Sequence, residues 1–152
     1  MRVLGLDYGR VRIGVALSDP TGTIAQALEV IPHHGFAQVS ARIRELVSAH
    51  QVDRIVVGLP RRLDGRERDE AAAVRSFARK LQSSVSMPVE FADERLSTVE
   101  AERVLISADA RRARRRRVRD AVAAALILQT YLDRHRGKGQ GSEDEEPRAP
   151  GV

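Results

Sequence analysis

The sequence predicts an α/β domain, with a mixed sheet and flanking helices, and two observations lead to that fold class. Three short apolar segments come first, with turn-forming residues between them. Helical and strand-like periodicities then alternate as far as about residue 136. The length of 152 residues suits one ordinary domain and is too short for two substantial ones. We therefore expect one domain over residues 1–136 and a disordered acidic tail over 137–152.

The predicted sheet begins with a hairpin. Residues 2–8 form a short apolar strand, Gly9 permits a tight turn, and residues 11–19 form the second strand. A third strand follows at 23–31. The segment RIVVGLP at 54–60 is continuously apolar and rich in β-branched residues, which is typical of a central strand covered on both faces. Pro88 introduces one more short strand, VEFA.

Helices are predicted between and after the later strands. Apolar residues recur at helical spacing over 37–50 and again over 71–81, and a charged loop separates the second helix from the strand before it. Ser97 and Glu100 have the spacing of a capping box ahead of a helix to about Ile106. An Ala-rich helix ends near Arg136. This order fits a ribonuclease H-like layout without singling it out.

Composition limits the classes of function. Cysteine is absent, so a bound metal must be held by oxygen or imidazole ligands. No leader-like or membrane-spanning apolar stretch is present, and we expect a cytoplasmic protein. The net charge is +5, and because the tail after Arg136 carries −2, the body carries +7. A basic body predicts a polyanionic partner, while an aromatic content of 3% argues against base stacking as the main source of affinity.

Two aspartates are candidates for chemistry. Asp7 stands at the end of the first strand, between Gly5 and Gly9, where a turn-forming role is the structural alternative. Asp120 is aligned with apolar residues three, four, seven, eight and eleven positions later, on one helix face. A carboxylate on a buried face needs a partner or a metal, and the alternative is placement near the positive helix N-terminus.

A third carboxylate follows the short strand. Neighbouring side chains of a strand face opposite sides, so only one of Asp93 and Glu94 can point at a shared site. Glu94 reaches the rim of Asp7 only if the two strands are parallel, and its alternative is an exposed ion pair with Arg95. No histidine is close in sequence to the three acids, and His33 and His34 are expected in a loop. Oxygen ligands favour Mg²⁺ or Mn²⁺, and two such ions about 4 Å apart can promote phosphodiester hydrolysis.

Arginines surround the predicted site. The run at 111–119 is either a solvated segment or a phosphate-binding surface, and its position just before Asp120 favours the second interpretation. Arginines of the loop at 61–68 can bind phosphates on the opposite side of the predicted site. Contacts of this kind imply little sequence specificity. The candidate nucleic-acid contacts are Arg10, Arg61, Arg62, Arg95, Arg114, Arg115, Arg116 and Arg117.

Four ordered blocks then resemble one known family: GLDYGRVRIGVALSD at 5–19, VVGLPRRLDG at 56–65, DERLST at 93–98 and RVRDAVAAALILQ at 117–129. The chain closely resembles the YqgF family of Holliday-junction-resolvase-like proteins, also regarded as candidate nucleases for the 5′ end of precursor 16S ribosomal RNA. The resemblance implies a ribonuclease H-like fold with catalytic, metal-binding acids at Asp7, Glu94 and Asp120. Val11 departs from the family, which frequently has a lysine there.

Other functions remain open at this stage. A junction resolvase or a general DNA or RNA nuclease would use the same acids, and either a monomer or a homodimer is compatible with the sequence. A non-catalytic nucleic-acid-binding factor would keep the fold and the basic surface but show no metal-dependent cleavage. An actin-like or sugar-kinase ATPase is disfavoured, because those enzymes surround a cleft with two domains and this chain has room for one. RNA is favoured over DNA through the resemblance alone.

Overall fold

The central sheet has five strands and mixed polarity. A computed structural model describes residues 1–59, 70–93 and 112–141, with the backbone alone at 93, 112–120 and 136–141. The strand order is β3-β2-β1-β4-β5, in which β1 pairs antiparallel with β2 and parallel with β4. β2 and β3 are antiparallel, and β4 and β5 are parallel. The strands are β1 (Val3–Asp7), β2 (Arg12–Ser18), β3 (Ala25–Pro32), β4 (Arg54–Leu59) and β5 (Val89–Asp93). The predicted hairpin and mixed sheet are confirmed.

Three described helices flank the sheet: α1 (Phe36–His50), α2 (Ala71–Val85) and α3 (Arg112–Gly141). α3 extends five residues past its predicted end near Arg136, so the first residues assigned to a disordered tail are helical. Extending an existing helix needs no new nucleation, and Lys138 and Gln140, which favour helix, alternate with the glycines there. The predicted helix at 97–106, the loop at 61–68 and the tail from 142 lie outside the described residues.

The sheet separates two apolar layers. Leu4 and Leu6 of β1 pack with α1 and α2 in one buried cluster, whereas Val3 belongs to a second cluster with α3. Residues of a strand alternate between faces, so α1 and α2 cover one face and α3 covers the other. β4 contributes Ile55 and Val57 to the first cluster and Val56 to the second. It is therefore an interior strand of the sheet, buried on both faces, as the sequence predicts.

Ser18 and Asp19, from the first family block, stabilise the fold at the end of β2. The buried Ser18 hydroxyl accepts the Val3 amide at 2.8 Å and donates to the Asp19 carbonyl at 2.9 Å. The Asp19 carboxylate accepts the backbone amides of Thr23 at 2.8 Å and Ile24 at 2.9 Å. These bonds, with the hydroxyl bond from Thr21, hold the pKa of Asp19 well below its ordinary value. Both residues order the β2–β3 connection.

A polar triad joins α3 to the sheet at the opposite end from Asp7. The Tyr131 hydroxyl donates to Glu90 at 2.8 Å and accepts from Arg54 at 3.0 Å, and Arg54 pairs with Glu90 at 3.2 Å. Burial is the main cause that raises the pKa of Tyr131 to about 12.

Across the described residues, no helix is both long and apolar enough to cross a membrane.

Candidate active site

Asp7 is the last residue of β1 and is half-buried. It pairs with Gly14 of β2, a partner without a side chain to crowd the carboxylate. Because Val3 packs on the α3 side, alternation along the strand places Gly5 and Asp7 on that same face. The carboxylate therefore lies on the α3 side of the sheet, at the carboxyl end of β1.

Gly5 allows α3 to approach β1 closely. A Cβ at position 5 would lie 2.8 Å from the Cβ of Leu128 and 3.4 Å from the Ala124 carbonyl oxygen. Both of these helix residues are fully buried. The strand that carries Asp7 is thus in direct contact with the middle of α3, two residues before the carboxylate.

The direction of α3 follows from its contacts. Tyr131 reaches Arg54 at the start of β4, and Arg54 lies beside Val3 at the start of β1. Ala124, two turns earlier in the helix, lies over Gly5. α3 therefore runs antiparallel to β1, and its N-terminal half extends toward the end of the strand that carries Asp7.

Position 120 lies one helical turn, about 6 Å, before Ala124 and on the same helical face. The geometry thus directs this part of the α3 backbone toward the rim where Asp7 lies. α3 begins at Arg112, so position 120 is beyond the first turn, where the helix dipole acts.

Glu94 can share a rim of the sheet with Asp7 only if the strand before it is parallel to β1, and the described strands meet this condition. β1, β4 and β5 are mutually parallel, and Leu6, Val57 and Phe91 are aligned across them. Parallel strands end on a common rim of the sheet. Glu94 itself lies outside the described residues. Within the described residues, no group of three or more histidine and acidic side chains is arranged to hold a metal, and only Asp7 of the three predicted ligands has a described side chain.

Arg10 lies in the four-residue turn between β1 and β2, three residues after Asp7, and its side chain is exposed. The turn places this arginine at the same end of the sheet as Asp7. Of the other predicted nucleic-acid contacts, Arg114, Arg115, Arg116 and Arg117 lie in the first two turns of α3, where the backbone alone is described. Arg61, Arg62 and Arg95 lie outside the described residues.

His33 lies next to this turn, although no sequence pattern connects it with Asp7. It follows β3, and its Nδ1 lies 2.9 Å from the Gly9 carbonyl oxygen, while its backbone amide donates to the Val11 carbonyl at 2.9 Å. Its ring meets the Tyr8 ring edge-on, with centroids 5.3 Å apart. No local pattern signals these contacts, because 24 residues separate His33 from Gly9.

Comparison with solved structures shows the class of fold. Thermus thermophilus RuvC in complex with a Holliday junction substrate superposes with a TM-score of 0.54, at 17% identity, over 89% of this chain and 96% of that one. The fowlpox virus Holliday junction resolvase superposes with a TM-score of 0.52, at 10% identity, over 89% and 99% of the two chains. The domain therefore has the ribonuclease H-like fold of these resolvases, as predicted.

Within that class, the chain belongs to the RuvX family, described as Holliday junction resolvase, whose model matches residues 1–134. This is the YqgF family that the four sequence blocks resemble. A relative from Moorella thermoacetica named "Putative pre-16S rRNA nuclease" is 54% identical over 88% of this chain and 96% of its own. A protein of the same name from Pelotomaculum thermopropionicum is 49% identical over 99% and 100% of the two chains.

Proposed function

We propose that this protein is a metal-dependent nuclease that hydrolyses phosphodiester bonds in precursor 16S ribosomal RNA, at its 5′ end. The observation that supports the proposal is the close approach of α3 to β1, with Asp7 at the end of the strand and the N-terminal half of the helix extending toward that end. The choice of RNA rests on the relatives that share about half of the sequence, all of which bear the same name.

The donor set suits a hard divalent cation. Asp7 is half-buried at the end of a parallel strand, and with Glu94 and Asp120 it would provide carboxylate oxygens for Mg²⁺ or Mn²⁺. In β5, Glu90 contacts Tyr131 of α3 and Ala92 packs in the α3 cluster, so even-numbered positions share the face of Asp7. This alternation supports Glu94 as the third ligand. When bound, a pair of ions would supply an activated water and stabilise the leaving oxygen.

The protein's own residues would bind and orient the substrate. Arg10, exposed beside Asp7, would pair with a backbone phosphate close to the cleaved bond. The arginines that open α3, Arg114 to Arg117, would neutralise further phosphates on the side from which the helix approaches the site. Both contributions are independent of base identity. The structure of the RNA around the processing site would then contribute to the choice of bond.

The test is cleavage of end-labelled precursor 16S RNA by the wild type and by Asp7→Asn, with Mg²⁺, Mn²⁺ or a chelator. We expect cleavage that needs a divalent ion and falls at least a hundredfold in Asp7→Asn, as expected when a group essential to charge stabilisation is lost. A four-way DNA junction and an unrelated RNA serve as competing substrates. Preferential cutting of the junction would contradict the RNA assignment, and nucleic-acid binding without any cutting would contradict the nuclease.

A further inference from the structure

His33, which follows β3, holds the turn between β1 and β2 from outside the hairpin. His33 donates its backbone amide to the Val11 carbonyl, and its ring Nδ1 contacts the Gly9 carbonyl, both at 2.9 Å. These two acceptors are the immediate neighbours of Arg10. The peptide units on both sides of the exposed arginine are thus fixed to the end of β3.

The hydrogen bond to Gly9 determines the tautomer of His33. A carbonyl oxygen can only accept, so Nδ1 must carry the proton and donate it. In the neutral ring the lone pair is then on Nε2. The structural function of His33 consequently depends on Nδ1.

Packing reinforces the same arrangement. Tyr8 lies against His33 and also against Phe77 of α2, with ring centroids 4.6 Å apart in the second pair. At position 9, a Cβ would lie 2.5 Å from the Arg12 carbonyl oxygen, so the turn closes too tightly for any side chain there. Asp7 is held separately, by its pairing with Gly14. Among the described residues, Arg10 is the potential substrate contact that lies between the two peptide units bonded by His33.

We infer that His33 is a positioning residue, which acts through its Nδ1–H to fix the Gly9–Val11 turn so that Arg10 can bind a phosphate of the nucleic acid. The inference rests on the proposed function. A fixed turn reduces the conformational entropy that Arg10 loses when it pairs with a phosphate. Among the described residues, Arg10 has no carboxylate partner that would compete for it.

Three substitutions separate the two ring nitrogens. His33→Asn puts an amide N–H near the position of Nδ1, His33→Gln puts one near Nε2, and His33→Ala removes both. RNA affinity is measured by fluorescence anisotropy in the Asp7→Asn background, where cleavage cannot distort the titration. We expect His33→Ala and His33→Gln to weaken RNA binding about three- to tenfold, as for one net hydrogen bond, and His33→Asn to stay close to the parent.

A double-mutant cycle with Arg10→Ala tests whether His33 acts through Arg10. In that background, His33→Ala should produce little further loss of affinity, because the group it positions is already absent. Hydrogen exchange at the amides of Arg10 and Val11 should accelerate in His33→Ala and not in His33→Asn. This readout reports the turn directly and needs no nucleic acid.

Three results would overturn the inference. The first is an unchanged RNA affinity in His33→Ala, and the second is an RNA affinity that His33→Gln retains and His33→Asn loses. The third is a loss of RNA affinity in His33→Ala that is equally large with Arg10 present and with Arg10→Ala. The second would identify Nε2 as the acting atom, and the third would mean an effect on the fold as a whole. Failure of the wild type to cut RNA would refute the nuclease and still leave this comparison of affinities decisive.

Discussion

Gly5 of β1 and Leu128 of α3 are in such close contact that a Cβ at position 5 would lie 2.8 Å from the Leu128 Cβ. This contact sets the distance between α3 and the sheet. Since Asp7 is two residues further along β1, the same contact also sets how closely the N-terminal half of the helix approaches the proposed metal site. Glycine at position 5 is therefore required by the packing that brings the site together.

Gly5→Ala should consequently reduce both stability and activity. Moving α3 or distorting β1 to relieve the clash should cost about 1–3 kcal/mol, the usual range for overpacking a core. Urea unfolding measures the first effect, and cleavage by the remaining folded protein measures the second. Adding Leu128→Ala should not rescue the variant, because alanine retains the Cβ that clashes. Wild-type stability in Gly5→Ala would contradict the packing described for β1 and α3.

Tyr131→Phe should affect the fold and leave the chemistry intact. It removes the hydroxyl that accepts from Arg54 and donates to Glu90, at the end of α3 remote from Asp7. The expected loss in the free energy of unfolding is about 1–2 kcal/mol, because these partners are only partly buried and retain their own ion pair. At a temperature where both proteins are folded, the rate of RNA cleavage should match the wild type. A large loss of activity would mean that this triad is part of the site.

Because of Tyr131, we also expect the protein to lose stability in alkali. The pKa of this tyrosine is raised from 10.0 to about 12 in the folded protein, mainly by burial. A raised folded-state pKa means that the contribution is complete below about pH 10 and is lost as the pH rises through about 12. Unfolding free energies measured across this range should fall less steeply in Tyr131→Phe than in the wild type. Parallel curves would show that Tyr131 does not carry the effect.

Asp19 should make the stability of the protein depend on pH in the opposite direction, with a loss in acid. The Asp19 carboxylate accepts amides from Thr23 and Ile24, and these bonds hold its pKa below the ordinary value of 3.8. A lowered folded-state pKa means that the stabilisation is present above about pH 4 and is lost as the pH falls further. Asp19→Ala should therefore be less stable at neutral pH and less sensitive to acid. Cleavage by the folded variant should persist, in contrast to Asp7→Asn.

The sequence predicted the parts of the fold that depend on local periodicity. Alternating and continuous apolar segments located the strands, and β4 was correctly expected inside the sheet because both of its faces are apolar. The end of α3 was predicted too early, because the polar segment after Arg136 was expected to bury too little apolar surface to fold, whereas the helix continues to Gly141.

The candidate site was predicted from strand ends, from the apolar face of the last helix and from the family blocks. Asp7 stands out both at the end of the first strand and in the block at 5–19, whereas Ser18 and Asp19 of the same block order the sheet. The contact of Gly5 with Leu128 and the bonds from His33 to the turn join residues far apart in sequence. Such contacts arise from tertiary packing and leave no periodic signal. The roles of Glu94 and Asp120 remain predictions.

The most direct test of the central claim is cleavage of precursor 16S RNA by the wild type and by Asp7→Asn, with divalent metal and with chelator. The carboxylate at the end of β1 is the one predicted ligand whose side chain the structure describes. We expect metal-dependent cleavage near the 5′ end that disappears in Asp7→Asn, while RNA affinity changes little. Equal cleavage by both proteins, or cleavage that persists in chelator, would contradict it.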